Sequence, residues 1–242
     1  MGSAWDVTIL TLFPDMFPGP LGFSILGRSL EEKRWHLNIV DIRDYAQDKH
    51  RTVDDMTFGG GPGMVMRPEI LNAALEDVTQ NDRKSRHLIY LSPRGKPVTQ
   101  ERVKELAQTP KVAMVCGRFE GIDQRILDAW NLEELSLGDF ILAGGEVAAM
   151  ALTEACVRLL PGIVGASESL EEESFSKGLL EYPHYTRPRL WQGREVPDVL
   201  MSGNHEEIRS WRLAQAEKIT QERRPDMWQK YVQYDSVNER KP

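Results

Sequence analysis

The sequence predicts an α/β fold built on a mostly parallel sheet. Short apolar, partly β-branched runs at Val7–Phe13, His36–Ile42, His87–Ser92 and Lys111–Cys116 read as strands. Stretches of helical length separate them, the alternation from which parallel sheets are built. A third observation points to a ligand. Cys116-Gly117-Arg118-Phe119-Glu120-Gly121-Ile122-Asp123 and Ser136-Leu137-Gly138-Asp139-Phe140-Ile141-Leu142-Ala143-Gly144-Gly145-Glu146 each break an apolar run with glycine. Strand ends of this kind leave main chain bare for binding.

Taken in order, Val7–Phe13 opens the sheet. Leu21–Trp35 follows as a helix, with Leu21, Ile25, Leu26 and Leu30 on one face. His36–Ile42 is the second strand. Pro68–Val78 begins with a proline suited to a first helical turn and carries Ile70, Leu71, Ala74, Leu75 and Val78. After His87–Ser92, Thr99 is the expected N-cap of a helix through Gln108. Lys111–Cys116 leads through the first glycine segment into a helix over Ile122–Trp130. Glu146–Leu160 is the most regular helix; Val147, Met150, Ala151, Ala155 and Leu159 are expected to face the core, Glu154 and Arg158 are spaced to pair, and Pro161-Gly162 ends it. Gly165–Gly178, with its serines and Glu171-Glu172-Glu173, reads as an exposed linker. From about residue 180 a small helical unit is expected. Asn204 and Glu207 resemble a capping box ahead of Ile208, Trp211 and Ile219, and a last helix covers Pro225–Tyr234.

Composition is that of an ordinary globular chain: of 242 residues, 40% are apolar and 28% charged. No run is long and apolar enough for a membrane span, and no basic-then-apolar leader opens the chain, so a cytosolic protein is expected. Cys116 and Cys156 lie in apolar segments and read as buried free thiols. The net charge of -7 argues mildly against nucleic acid. Residues 182–242 hold 11 Lys/Arg against 9 Asp/Glu, an imbalance too small to reverse that.

Several chemistries are set aside. There is no P-loop, since Gly95-Lys96 runs into Pro97; no Gly-x-Gly-x-x-Gly follows a strand; and there is no Gly-x-Ser-x-Gly. The five histidines lie far apart and two cysteines make no zinc site, so no protein-ligated metal is expected. What remains is glycine and isolated charge. Gly59-Gly60-Gly61-Pro62-Gly63 is either a flexible surface loop or one that lets a flat ligand approach the backbone. Strand ends near 92, 117 and 138 point to one shared pocket, because ligands of open α/β sheets gather there.

With these segments collected, the chain resembles the bacterial tRNA (guanine-N1)-methyltransferases of the SPOUT superfamily over nearly its whole length. The resemblance is carried by His50-Arg51-Thr52-Val53-Asp54-Asp55, Gly59–Met64, Tyr90-Leu91-Ser92-Pro93, Gly117–Asp123, Leu137–Gly145, Pro183-His184-Tyr185-Thr186-Arg187-Pro188 and Gly203-Asn204-His205, in this order.

It implies helices on both faces of the sheet, a C-terminal trefoil knot in a domain over 1–164, a flexible linker or lid over 165–178, and a small all-α tRNA-binding domain over 179–242. It implies methyl transfer from S-adenosyl-L-methionine to N1 of the guanine at position 37 of tRNA, beside the anticodon. The partners implied are the tRNA anticodon stem-loop and a second copy of the chain, with active sites at the interface of a homodimer. A Mg2+ requirement is compatible with the resemblance, without a protein ligand set. Cofactor contacts fall on Tyr90, Leu91, Ser92, Pro93, Gly95, Gly117, Phe119, Glu120, Gly121, Ser136, Leu137, Gly138, Asp139, Phe140, Ile141, Leu142, Gly144 and Gly145. Substrate contacts fall on Asp54, Gly59, Gly60, Gly61, Glu181, His184, Arg187, Asn204, His205 and Arg212. Arg209, Arg223 and Arg224 are further candidates for phosphate.

Guanine N1 carries a proton, so the reaction needs a general base, and charge building on the guanine carbonyl oxygen needs a cation. The family's arginine falls on Arg158. Its basic aspartate falls on Glu173, in Glu173-Ser174-Phe175, where this chain has glutamate instead. Phe119 and Phe140 stand where tyrosine is common, and Ala148 where proline is common. An RNA-binding protein that kept the fold without the chemistry, and a SPOUT enzyme with another RNA target, are the competing readings; Arg158 and an acid at 173 favour the enzyme.

Overall fold

The structure, a computed structural model, describes residues 4–80, 84–164 and 172–238. The chain forms two compact units, divided between Gly165 and Ala166.

The first unit is an α/β sandwich. Its main sheet consists of β1 (Trp5–Thr11), β2 (Trp35–Asp41), β5 (Arg86–Pro97), β6 (Lys111–Cys116) and β7 (Glu133–Ser136). These five strands are parallel and lie in the order β2-β1-β6-β5-β7. The central strands are apolar at nearly every position because helices cover both faces of the sheet. Val7, Ile9, Ile89, Leu91, Val112, Met114 and Cys116 pack on one side, with Leu26 and Leu30 of α1 (Ser24–Glu31), Val103 and Leu106 of α3 (Gln100–Gln108), and Ala149, Leu152 and Cys156 of α5 (Glu146–Val157). Leu10, Leu88, Tyr90, Ala113 and Val115 pack on the other. There they meet Ile70, Leu71 and Leu75 of α2 (Pro68–Thr79) and Ile126, Leu127 and Trp130 of α4 (Gln124–Trp130). Both cysteines are free and buried. The expected Thr99 cap forms, accepting from Arg102 N at 3.2 Å.

Four features depart from the sequence reading. The strand β7 is one. Its first two residues are glutamates, and they are held at the sheet edge by cations, Glu133 by Arg102 at 2.5 Å and Glu134 by Arg94 at 3.1 Å. The second is a hairpin, β3 (Asp54–Met56) with β4 (Met64–Met66), whose turn contains the glycine loop. Third, α1 starts at Ser24, so Ile25 is exposed while Leu21 is buried in the turn before it. Fourth, α5 is rotated from the expected face: Met150 is buried and Ala155 and Leu159 pack against the core as expected, but Val147 and Ala151 lie with Glu154 on the exposed stripe, while Ala148, Leu152 and Cys156 are buried. This helix is apolar almost all round, so its period does not choose a face.

The second unit contains α6 (His205–Arg223) and α7 (Pro225–Asn238). Asn204 caps α6, its Oδ1 accepting from the amides of Glu206 and Glu207, but the reciprocal half of a capping box is replaced: the Asn204 amide donates to Ser202 Oγ at 3.1 Å. The unit is not purely helical, because β8 (Leu190–Trp191) and β9 (Arg194–Glu195) form a short antiparallel hairpin. Gln192 and Gly193, both left-handed at φ 49° and 76°, make its two-residue turn. Of the segment read as a linker, 165–171 lie outside the described residues. Residues 172–178 form a turn that folds back on Leu179, with Phe175 N donating to Leu179 O at 2.8 Å.

Candidate functional site

In the first unit, the carboxyl ends of β5, β6 and β7 open into one cavity of about 320 Å³. The chain passes from β5 to β6 on one side of it and then crosses to β7 on the other. The cavity therefore sits where the strand order reverses, the usual ligand position of open α/β sheets. Every residue assigned above to the cofactor lines it except Gly95 and Asp139. Arg94, Arg118, Ile122, Leu135, Ala143 and Ala148 also line it. Arg118, Ile122 and Ala143 lie inside the glycine segments and could have been included on that ground; Leu135 follows only once β7 is known.

Each wall has a local cause. Between Leu91 and Lys96, β5 leaves the ladder with β7 for the Ser92–Gly95 excursion and then rejoins it at Leu135. Gly95 has a packing role rather than a lining one. A Cβ there would lie 2.4 Å from Leu135 N, so only glycine lets the two strands close again. Gly95→Ala is expected to destabilise the first unit by about 1–3 kcal/mol, the range for overpacking against backbone that cannot yield. Thermal unfolding checks this; a melting temperature equal to wild type refutes it.

The loop after β6 is tied down by Glu120 N donating to Met64 O and Met66 N donating to Gly121 O, both at 2.9 Å. Burial raises the Tyr90 phenol above its ordinary range, so it stays protonated in this wall. Opposite, Gly145 N donates to Gly117 O at 3.1 Å, and a Cβ on Gly145 would lie 2.7 Å from Cys116 Cα. At this junction Glu146 is 1% exposed and pairs with Arg118 at 2.9 Å. Thr11 Oγ1 also donates to Glu146, at 2.8 Å, and Arg118 donates to Ala143 O at 3.2 Å. The cavity thus combines apolar faces from Leu91, Leu135, Leu137 and Ala148 with main chain bared at Gly117, Gly121, Gly138, Gly144 and Gly145. That is what a flat heteroaromatic ring with polar edges requires, and the residues fit the adenine and ribose of S-adenosylmethionine. Phe119 and Phe140 are half exposed at the mouth.

The other predicted residues are dispersed. Arg158 is the half-buried C-cap of α5. Asp54 lies on β3, and Gly59, Gly60 and Gly61 form an exposed loop in which a Cβ added at any of the three would meet nothing within 4 Å. In the second unit, Glu172, Glu173, Glu181, Arg209 and Arg212 line a cavity of about 260 Å³. His184 bonds Glu181 at 2.7 Å. Asn204 is occupied as a helix cap, Arg187 and His205 are exposed, and Arg224 is paired with Asp226 at 2.7 Å. Among the described residues no group of three His, Cys, Asp or Glu side chains converges to hold a metal ion. No helix among them is long and apolar enough to cross a membrane.

The chain is 57% identical over 224 residues to a tRNA (guanine-N(1)-)-methyltransferase of Rhodospirillum rubrum, covering 93% of this chain and 92% of that one. It is 58% identical over 224 residues to one of Rhodopseudomonas palustris, with 93% and 90% covered. With one of Brucella ovis it shares 54% over 230 residues, with 95% and 94% covered. The family model described as tRNA (Guanine-1)-methyltransferase TrmD matches residues 5–230, and the chain belongs to that family.

Proposed function

We propose that the protein transfers a methyl group from S-adenosyl-L-methionine to N1 of the guanine at position 37 of tRNA, next to the anticodon. The observation that carries this reading is the main-chain-rimmed cavity at the ends of β5, β6 and β7, in a chain of this family. When bound, the cofactor supplies a methyl group already activated on a sulfonium. The protein's own residues then have two tasks: to remove the N1 proton and to balance the charge that develops on the guanine carbonyl oxygen. Glu173 takes the proton, and Arg158 supplies the cation. Glu181, His184, Arg187 and Arg212 belong to the tRNA side of the site, as do Asp54 and the Gly59–Gly61 loop.

A trefoil knot in the first unit is part of this reading. Leu135 pairs with β5 on both sides of the Ser92–Gly95 excursion, and the chain then returns to Gly117 through Gly145. So is a homodimer, in which Glu173 of one copy serves the cofactor of the other. Exposed Phe140 and Ile141 at the cavity, with exposed Val147 on the first turn of α5, are the apolar surface such a contact would cover. The second unit holds the RNA.

The test is transfer of labelled methyl to unmodified tRNA, with and without Mg2+, followed by mapping of the modified nucleotide. Product at guanine 37 N1 is expected. No transfer with Mg2+ present overturns the enzyme reading, and product at another nucleotide overturns the substrate assignment.

A further inference from the structure

The proposed base lies in a short turn, and a general base must be held to within a fraction of an ångström to act. The turn has its own fastening. Glu172, beside Glu173, accepts a hydrogen bond from the Tyr182 phenol at 2.6 Å and one from Arg212 at 3.3 Å. The Arg212 guanidinium lies over the Tyr182 ring, 4.7 Å from its centroid. Burial, and after it the bond to Glu172, pushes the Tyr182 phenol up to about 12, so it remains a donor at neutral pH. Two further bonds close the turn: Glu181 N donates to Ser174 Oγ at 3.0 Å, and Ser176 Oγ donates to Glu173 O at 2.6 Å. Glu172 and Glu173 line the same cavity, where Lys177, Arg209 and Arg212 offset the carboxylates.

We infer that Glu172 is a positioning residue, which ties the turn bearing Glu173 to α6 through Tyr182 and Arg212. Arg212, on the tRNA side of the proposed site, thereby also holds the turn. The inference rests on the reading of Glu173 as the base.

The test compares Glu172→Ala, Tyr182→Phe and the double variant of the full-length protein in methyl transfer to unmodified tRNA. Tyr182→Phe keeps the ring and removes only the hydroxyl, so it tests the bond where Glu172→Ala disturbs folding. Each single variant is expected to lose about tenfold or more in kcat, with KM for tRNA changed less than about threefold, since a displaced group costs rate rather than binding. The double variant is expected to be no slower than the slower single one, because the residues act as a unit. Unchanged kcat, a raised KM alone, or losses that multiply overturn the inference. Glu173→Gln is measured beside them. If it turns over normally, the base reading falls and this inference with it. If it is inactive while Glu172→Ala and Tyr182→Phe are fully active, only the positioning role falls.

Discussion

Glu173→Gln lowers kcat by about 10²–10⁴-fold, the usual contribution of a positioned general base, while binding of S-adenosylmethionine is unchanged. Glutamine matches glutamate in size and cannot accept the N1 proton. Single-turnover methyl transfer measures the first effect and calorimetry with the cofactor the second. The deficit should narrow as pH rises, because base from solution then removes the N1 proton without help. Glu173→Asp keeps the carboxylate and loses one methylene, so it should fall less than the glutamine variant. Nearly normal turnover in Glu173→Gln would remove this residue from the mechanism, and an equal deficit at all pH values would make its role something other than proton removal.

That expectation depends on a residue whose surroundings composition does not describe. In sequence, Glu171-Glu172-Glu173 is a run of like charge and reads as a solvated linker. In the structure, Glu172 is bound by Tyr182 and Arg212, ten and forty positions away. The central strands were legible because burial on both faces leaves a continuous apolar run, as in Val112-Ala113-Met114-Val115-Cys116. The strand β7 was legible only at its end near 138, because two of its four residues are glutamates whose partners, Arg102 and Arg94, come from other elements. The face of α5 was hidden for the opposite reason: with apolar residues on every side, only the fold decides that Val147 is exposed and Ala149 buried. The glycine segments did report the cavity, since glycine there answers to a local steric demand that the sequence records directly.

Arg118→Met is expected to cost about 3–5 kcal/mol of stability, the range for breaking one side of a buried ion pair. Arg118 and Glu146 are 28 positions apart, one following β6 and the other opening α5. Their contact joins the two glycine segments at the cavity floor. Methionine retains much of the arginine stem but not the guanidinium, which lies over the Phe13 ring at 4.2 Å and donates to Ala143 O. The largest loss is the charge, leaving Glu146 at 1% exposure with the neutral Thr11 hydroxyl still donating to it. A carboxylate so enclosed is costly without a cation. The double variant Arg118→Met, Glu146→Leu should be more stable than Arg118→Met alone, because replacing both members of a buried pair by apolar groups leaves no orphaned charge. Denaturant unfolding measures both. A loss below about 1 kcal/mol for the single variant, the scale of an exposed pair, would mean that the ion pair does not hold the floor of the cavity together.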